Sequence, residues 1–329
     1  MEEVGTVTIT GASESKTVTV PDYGYFYITT TTGTVVTINS TNKSASVEDK
    51  NSIPTIDKTI TGADDDYGSY DEDGKNAVAQ VGTDVEYTVE IVVGKGAKNY
   101  VFHDTMSDGL EYNEDAAVTA TAPEGGTAPT GTWYTIKETP DEGDTLTITF
   151  VDGIAEGTKI TITYSATVTS AALNDDPANN TATLDYGNSY TTSETGTEVY
   201  NAQFTVTKTD GDGAPLAGAG FVIANEDGAY YTLTDDGVVW VEDIDDADEH
   251  FSAGDEGLVP AFTGLGNGTY TLIEKTVPTG YNKAADSTFE VKDADVTSTN
   301  LVQASTVVNN AGSVLPSTGG IGTTIFYII

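Results

Sequence analysis

The sequence contains no cysteine. Disulfide bonds, thiolate nucleophiles, thioesters and cysteine-ligated metals are therefore excluded together. Positive charge is also scarce, because the basic residues are 13 lysines and no arginine, against 52 acidic residues. The resulting net charge of -39 repels nucleic acid and anionic lipid, so we expect neither as a partner. No motif predicts a bound cofactor.

A helical pattern is missing as well. No stretch keeps apolar residues at a sustained 3.6-residue spacing, and only residues 113–120 are predicted to form a helical turn. Runs rich in Val, Thr, Ile and Tyr cover most of the chain and are interrupted by glycine, which is typical of β-strands. With 37% hydrophobic residues, the 329-residue chain can build ordinary cores. The sequence therefore predicts an all-β protein.

The strand runs divide the chain into four parts. Residues 1–53 are too few for a core of their own, so we predict the C-terminal part of an incomplete β domain. Residues 54–199 and 200–312 are each predicted to form a β-sandwich domain. Residues 313–329 form a C-terminal signal. The first residues lack the basic start and apolar core of a signal peptide, so we expect the natural N-terminus to be missing.

Three polar residues of the first predicted sandwich lie at inward positions of separate strands. Lys58 is in phase with an isoleucine on either side, and Asp104 is in phase with aromatic residues. Asn180 is in phase with the apolar residues that follow it, whereas Asn179 faces the other way. The pattern predicts a lysine, an acid and an asparagine amide inside one core.

The second predicted sandwich repeats this arrangement. Lys208 shares a strand face with two apolar residues, Glu274 ends a similar strand, and Asn309 lies on the final strand. Asn310, like Asn179 in the first domain, is the neighbouring alternative for the asparagine.

Burial determines the chemistry that such a triplet can perform. Taking a lysine and a carboxyl group out of water favours their neutral forms, and a neutral amine is a nucleophile. The amine could attack the asparagine amide carbon while the acid polarises the carbonyl and moves protons to the leaving ammonia. The product would be an intramolecular Lys-Asn isopeptide bond. A buried salt bridge, or a lysine that snorkels to solvent, would give the same pattern.

The C-terminal part contains a proline-glycine motif followed by an apolar run of about nine residues, fewer than the roughly 20 of a membrane helix. The motif resembles the LPxTG sorting signal of Gram-positive surface proteins. That resemblance implies cleavage by a sortase between the threonine and the first glycine, and a chain truncated within the membrane segment. The motif residues are Leu315, Pro316, Ser317, Thr318 and Gly319.

Two longer stretches resemble pilin domains. Residues 200–320, with the Leu-Ala-Gly-Ala-Gly-Phe run and the Leu-Ile-Glu-Lys-Thr-Val-Pro-Thr-Gly-Tyr box, are similar to Cna protein B-type domains of Gram-positive pilins. Residues 54–190 resemble the isopeptide-forming domain of major pilin subunits. The resemblance implies tandem immunoglobulin-like or Cna-type β-sandwiches. It also implies one bond from the first strand to the last strand in each domain.

The residues that the resemblance assigns to these bonds are those of the two triplets. It implies a Lys58 to Asn180 bond assisted by Asp104, and a Lys208 to Asn309 bond assisted by Glu274. It further implies a non-enzymatic structural subunit that is secreted and anchored in the Gram-positive cell wall. Its partners would be a sortase and either neighbouring pilin subunits or peptidoglycan.

The sequence departs from the pilin pattern in one respect. The Tyr-Pro-Lys motif, whose lysine usually accepts the next subunit, is absent, and Lys50 is the candidate that remains. The alternative is a monomeric wall-anchored adhesin that binds a carbohydrate or the host matrix. Trp133 and Trp240, expected to be exposed, are the places where such a ligand would bind.

A hydrolase active site and a calcium site are the remaining alternatives. A hydrolase would need a catalytic histidine, but His103 is predicted to face outward, and neither it nor His250 is accompanied by a nucleophile motif. Acidic turns at residues 64–66, 71–74 and 210–213 could bind calcium, but none completes an EF-hand loop. We therefore predict solvated turns and no metal site.

Overall fold

A computed structural model of the chain describes residues 17–28, 34–45, 52–96, 98–138, 140, 143–174, 177–187, 189–292 and 302–312. These residues contain 24 β-strands and one short 3₁₀ helix, so the all-β prediction is confirmed. No helix with the length and apolar character needed to cross a bilayer occurs among the described residues.

The strands fall into three groups along the chain. A hairpin comes first, formed by β1 (Gly24–Ile28) and β2 (Thr34–Ile38). The second group is β3 (Thr55–Ala63), β4 (Ser69–Tyr70), β5 (Asn76–Val78), β6 (Asp84–Val92), β7 (Val101–Met106), β8 (Leu110–Tyr112), β9 (Ala117–Thr121), β10 (Tyr134–Lys137), β11 (Leu146–Phe150), β12 (Lys159–Val168), the 3₁₀ helix η1 (Ser170–Leu173), β13 (Ala178–Tyr186), β14 (Tyr190–Thr191) and β15 (Thr195–Tyr200).

The third group follows directly. It comprises β16 (Ala202–Asp210), β17 (Gly220–Ala224), β18 (Tyr230–Thr234), β19 (Gly237–Val241), β20 (His250–Phe251), β21 (Leu258–Leu265), β22 (Gly268–Thr276), β23 (Ser287–Val291) and β24 (Val302–Asn309).

The second group forms a sandwich of two sheets. An eight-stranded sheet has the order β10-β11-β7-β13-β15-β5-β4, with β14 beside β13, and a five-stranded sheet has the order β3-β6-β12-β8, with β9 beside β12. Neighbouring strands run antiparallel except β15 and β5. Strands such as β6 and β12 alternate buried apolar residues with more exposed polar ones, because successive side chains point to opposite faces. The inner faces of the two sheets share one hydrophobic core.

The third group forms a second sandwich. A three-stranded sheet, β21-β16-β24, faces a six-stranded sheet, β19-β18-β17-β22-β23, with β20 beside β17. Its first and last strands, β16 and β24, are parallel neighbours. Phe204, Phe221, Phe262 and Tyr270 are among the buried residues of its core.

A close junction connects the two sandwiches. The Trp240 ring stacks on Tyr67 of the first sandwich and on Tyr270 of the second, with ring centroids 5.6 Å apart in each case. Trp240 Nε1 donates to Gln80 Oε1 at 2.8 Å. The backbone approaches so closely that a Cβ atom on Gly237, which has φ +123°, would lie 2.4 Å from the Val81 carbonyl oxygen. The junction therefore requires glycine at this position.

Three expectations about local structure are wrong. Residues 113–120 were expected to form a helical turn, but residues 117–121 form β9, because Val118 is buried in the core when the segment pairs with β12. Trp133 is not exposed, because it packs between Tyr134 and Phe150. Trp240 is only partly exposed because of the junction. These errors share a cause: the conformation or burial of each segment is determined by pairing or packing with residues that are distant in sequence.

Candidate functional site

The first sandwich brings Lys58, Asp104 and Asn180 together. The Lys58 Nζ atom is within hydrogen-bond contact of both Asp104 Oδ2 and Asn180 Oδ1. All three residues have 0% of their surface exposed. All three side chains therefore point into the core, as strand alternation predicted.

Strand pairing explains why these side chains meet. Strands β7 and β13 are antiparallel neighbours, in which Asp104 lies opposite Ala182 and Asn180 lies opposite Met106. Asp104 and Asn180 are thus diagonal neighbours on the same inward face. Lys58 reaches them from β3, which belongs to the opposite sheet. A bond between Lys58 and Asn180 would therefore join the two sheets of the sandwich.

Two tyrosines complete the site, and the sequence reasoning missed both. The Lys58 Nζ atom lies 5.3 Å from the ring centroids of Tyr87 and of Tyr164, which are stacked 5.4 Å apart. The Tyr164 hydroxyl donates to Asp104 Oδ2 at 2.5 Å. Both tyrosines occupy inward positions of alternating strands, β6 and β12. The same alternation that identified Lys58 was thus available to identify them.

Burial moves the charged pair toward its neutral forms. It lowers the pKa of Lys58 to about 8, although the nearby Asp104 opposes this shift. Burial likewise raises the pKa of Asp104, against the opposing effect of Lys58. With a pKa near 8, about a tenth of the amine is neutral at pH 7, against roughly one in three thousand for an ordinary lysine. Burial therefore increases the fraction of molecules in which a neutral, nucleophilic amine lies beside a protonated acid.

The second sandwich buries Lys208, Glu274 and Asn309, which are 0%, 2% and 1% exposed. Lys208 and Asn309 lie on the parallel neighbours β16 and β24, and Glu274 reaches them from β22 of the opposite sheet. The Asn309 Nδ2 atom donates to Glu274 Oε1 at 2.6 Å, and the Ala284 amide donates to Glu274 Oε2 at 2.7 Å. Acid and amide are therefore already in contact.

The lysine of the second site has a different partner. Lys208 Nζ donates to the Thr209 carbonyl oxygen at 2.7 Å. Burial lowers the pKa of Lys208, and Glu274 and Asp210 oppose this shift. Asn309 Oδ1 is buried and has no partner among the described residues. The site thus holds an amine with a lowered pKa and an amide carbonyl that no donor among the described residues contacts.

The alternative asparagines lie outside the two sites. Asn179 is only half-buried, and its Nδ2 atom donates to the Pro177 carbonyl oxygen at 2.8 Å. Asn310 is exposed. The buried asparagines of the two sites are therefore Asn180 and Asn309.

Comparison with protein families identifies both sandwiches. Residues 81–191 match the model of the Gram-positive pilin backbone subunit 2, Cna-B-like domain. Residues 202–305 match the model of the SpaA prealbumin-like fold domain. The chain thus contains a Gram-positive pilin backbone domain followed by a SpaA prealbumin-like domain. The pilin backbone match includes Asp104 and Asn180, and the SpaA match includes Lys208 and Glu274.

Solved structures show the same architecture. The backbone protein of pilus 2b from group B streptococcus is 28% identical with a TM-score of 0.62, over 79% of this chain and 99% of that one. The RrgB pilus protein of Streptococcus pneumoniae is 16% identical with a TM-score of 0.56, over 82% and 74% of the two chains. BcpA, the major pilin subunit of Bacillus cereus, is 17% identical with a TM-score of 0.51, over 88% and 86%. Comparison with curated protein sequences gave no significant match.

One expectation about the pilin backbone domain needs correction. The Lys58 to Asn180 bond was expected to join the first strand of the domain to its last. Asn180 lies on β13, however, and β15 follows it in the same sheet, where it pairs with both β13 and β5. The asparagine is therefore not on the final strand. In the SpaA domain, β16 and β24 are the first and last strands, as expected.

The histidines contribute to the surface of the two pilin domains. His103 faces away from the core, as predicted, and its Nδ1 atom lies 2.7 Å from Asp144 Oδ2. The His250 ring stacks on Phe262 with centroids 4.2 Å apart.

In two of the acidic turns, an aspartate side chain accepts hydrogen bonds from nearby backbone amides. Asp64 Oδ1 accepts from the amides of Asp66 and Tyr67, and Asp210 Oδ1 accepts from those of Asp212 and Ala214. No group of three or more metal-ligating side chains is arranged to hold an ion in the part of the chain that the structure describes.

Two further predictions concern the sorting motif and the candidate acceptor lysine. Residues 315–319, with the cleavage point after Thr318, and Lys50 lie outside the described residues. Their roles stay predictions.

Proposed function

We propose that the chain is a structural subunit of a sortase-assembled pilus, with a Lys58 to Asn180 and a Lys208 to Asn309 isopeptide bond stabilising its two domains. The observation that carries this proposal is the fully buried contact of Lys58 Nζ with both Asp104 and Asn180. Such a contact is costly if it serves only as a salt bridge. A covalent bond would remove that cost permanently.

The reaction in the first site balances without a cofactor. The neutral Lys58 amine attacks Asn180 Cγ, and the protonated Asp104 stabilises the negative charge that develops on the amide oxygen. The bond from Cγ to Nδ2 then breaks, and one amine proton leaves with that nitrogen as ammonia. Lysine amine plus asparagine amide thus gives a secondary amide plus ammonia. The proximity of the groups supplies much of the acceleration.

Assembly would use the C-terminal motif. A sortase would cleave between Thr318 and Gly319 and transfer the Thr318 carbonyl to a lysine of the next subunit or to peptidoglycan. Lys50 is the proposed acceptor within this chain. The protein would then be anchored covalently at the surface of a Gram-positive cell. The match to the pilin backbone model and the likeness to pilus backbone structures support this role.

The intact mass of the purified chain tests the bonds directly. Each bond expels one ammonia, so we expect the denatured chain to be about 34 Da lighter than its sequence, at about 17 Da per bond. Digestion with trypsin and a glutamate-specific protease, which separates Asn180 from Lys208 at Glu194 and Glu198, should yield one linked peptide pair containing Lys58 and Asn180 and another containing Lys208 and Asn309. A mass equal to that of the plain sequence would refute the proposed bonds.

Removing the acid should leave the lysine unbonded. In Asp104→Ala, we expect the linked peptide containing Lys58 to fall below about 1% of that in the parent after equal times, because general acid-base catalysis contributes at least about 100-fold. Asp144→Ala is the matched control, since that carboxylate contacts His103 instead. Normal linkage in Asp104→Ala would remove the acid from the mechanism. Glu274→Ala should act in the same way on the second bond.

A further inference from the structure

Two stacked tyrosines flank Lys58, but they differ in what their hydroxyl groups do. The rings of Tyr87 and Tyr164 are equally far from Lys58 Nζ, at 5.3 Å. The Tyr87 hydroxyl is buried and has no partner in hydrogen-bond geometry among the described residues. The Tyr164 hydroxyl has two. The rings therefore share a packing role, and the hydroxyl of Tyr164 has an additional one.

The Tyr164 hydroxyl bridges the acid and the leaving group. It donates to Asp104 Oδ2 at 2.5 Å and accepts from Asn180 Nδ2 at 3.4 Å. Nδ2 is the atom that must depart as ammonia in the proposed reaction. Burial raises the pKa of Tyr164 well above its ordinary value, so the hydroxyl keeps its proton.

In the second site, the acid contacts the leaving nitrogen without a tyrosine between them. There, Asn309 Nδ2 donates directly to Glu274 Oε1 at 2.6 Å. In the first site, the acid is an aspartate, one methylene shorter, and Asn180 Nδ2 contacts the tyrosine hydroxyl instead. The hydroxyl thus occupies the position between acid and leaving nitrogen that the longer glutamate spans by itself.

We propose that Tyr164 is a catalytic residue of the first site, which relays a proton from Asp104 to Asn180 Nδ2 as the amide bond breaks. This inference rests on the proposed isopeptide bond. As Lys58 attacks Cγ, the Tyr164 hydroxyl turns its proton from Asp104 towards Nδ2 and gives it to that nitrogen, while the protonated Asp104 gives its own proton to the Tyr164 oxygen. The Asp104 carboxylate that results takes the surplus proton of the lysine amine, and Nδ2 leaves as ammonia. Tyrosine and acid end in their starting protonation states, so no other reactant is required.

The rate of bond formation tests the relay. The full chain is purified in denaturant from inclusion bodies, refolded by dilution and quenched at intervals. The linked peptides released by trypsin and a glutamate-specific protease are then quantified by mass spectrometry. We expect Tyr164→Phe to form the Lys58 to Asn180 link about 100-fold more slowly than the parent. Tyr87→Phe is the matched control and should stay within about threefold, because it is the Tyr164 hydroxyl, and not that of Tyr87, that hydrogen-bonds Asp104. The Lys208 to Asn309 link in the same molecules is an internal control and should form at the parental rate.

A second variant covers the case in which Tyr164→Phe does not fold, as judged by circular dichroism. Site-specific 3-fluorotyrosine at position 164 keeps the ring and hydroxyl but makes the phenol more acidic. We expect it to change the rate by at least about twofold, since proton transfer depends on acidity. The same replacement at position 87 should have no effect.

The outcomes separate the relay from the bond itself. Parental rates in both Tyr164 variants, with the bond still formed, would overturn the relay and leave the proposed function standing. A parent chain that never yields the linked peptide containing Lys58 would instead refute the proposed bond, and the relay with it.

Discussion

Lys58→Met is expected to lower the free energy of unfolding of the first sandwich by about 5 kcal/mol. The proposed bond closes a loop across 122 positions of sequence, and a cross-link over such a loop removes this much conformational entropy from the unfolded chain. Methionine has nearly the length of lysine and no charge, so it leaves little cavity and no unpaired buried ammonium. For a domain of this size, the midpoint of thermal unfolding should fall by about 10 to 20 °C.

The control for this prediction is Lys159→Met on β12. The Lys159 side chain is 45% exposed and pairs with Glu90 at the surface, so its removal should cost less than about 1 kcal/mol. Calorimetry of the two variants and the parent gives the comparison. A Lys58→Met variant that melts together with the parent and with Lys159→Met would contradict the stabilising role of the bond, even if the bond were present.

The second large effect is expected under tension. A force applied at the two ends would enter β3, cross the first bond to β13, follow the chain to β16 and cross the second bond to β24. The two bonds would then carry the force. No tension would act on the residues between Lys58 and Asn180 or on those between Lys208 and Asn309. Between Lys58 and Asn309, the part of the chain that can still extend is the stretch from Asn180 to Lys208.

That stretch contains the end of β13 and all of β14 and β15. Its strands are held by ladder hydrogen bonds to β7 and β5 and by pairing of β13 with β15. If these hydrogen bonds break, the stretch would become about 28 residues of unfolded chain, which span about 95 Å at full extension. This stretch can extend because Asn180 is not on the last strand of its domain, so that β15 lies outside the closed loop.

Single-molecule stretching measures this length. With the pulling handles attached next to Lys58 and Asn309, the parent should extend by no more than about 95 Å beyond its folded length, whereas a Lys58→Met, Lys208→Met double variant should release about 250 residues and about 850 Å. Each single variant is a matched control, since it should release only the residues that its own bond closes. An extension near 850 Å in the parent would show that tension does not pass through the bonds.

The inward positions of the site residues could be predicted from the sequence. Strand alternation is a local property with a period of two, so the phase of Lys58, Asp104 and Asn180 against their apolar neighbours was sufficient to place them inside. The all-β class followed from the same alternation. The absence of cysteine left a lysine-based cross-link as the chemistry to consider.

The tertiary structure decided which of these inward groups meet. Strand order and register depend on pairing between segments far apart in the chain, so no local pattern showed that Asn180 is diagonal to Asp104 or that Tyr164 joins them. The burial of Trp133 and the position of β15 beyond Asn180 are non-local in the same way. The sequence by itself thus determined which side chains face the core. Sheet packing alone determined their neighbours, because a strand's phase is set within the strand and its partners are set by the rest of the molecule.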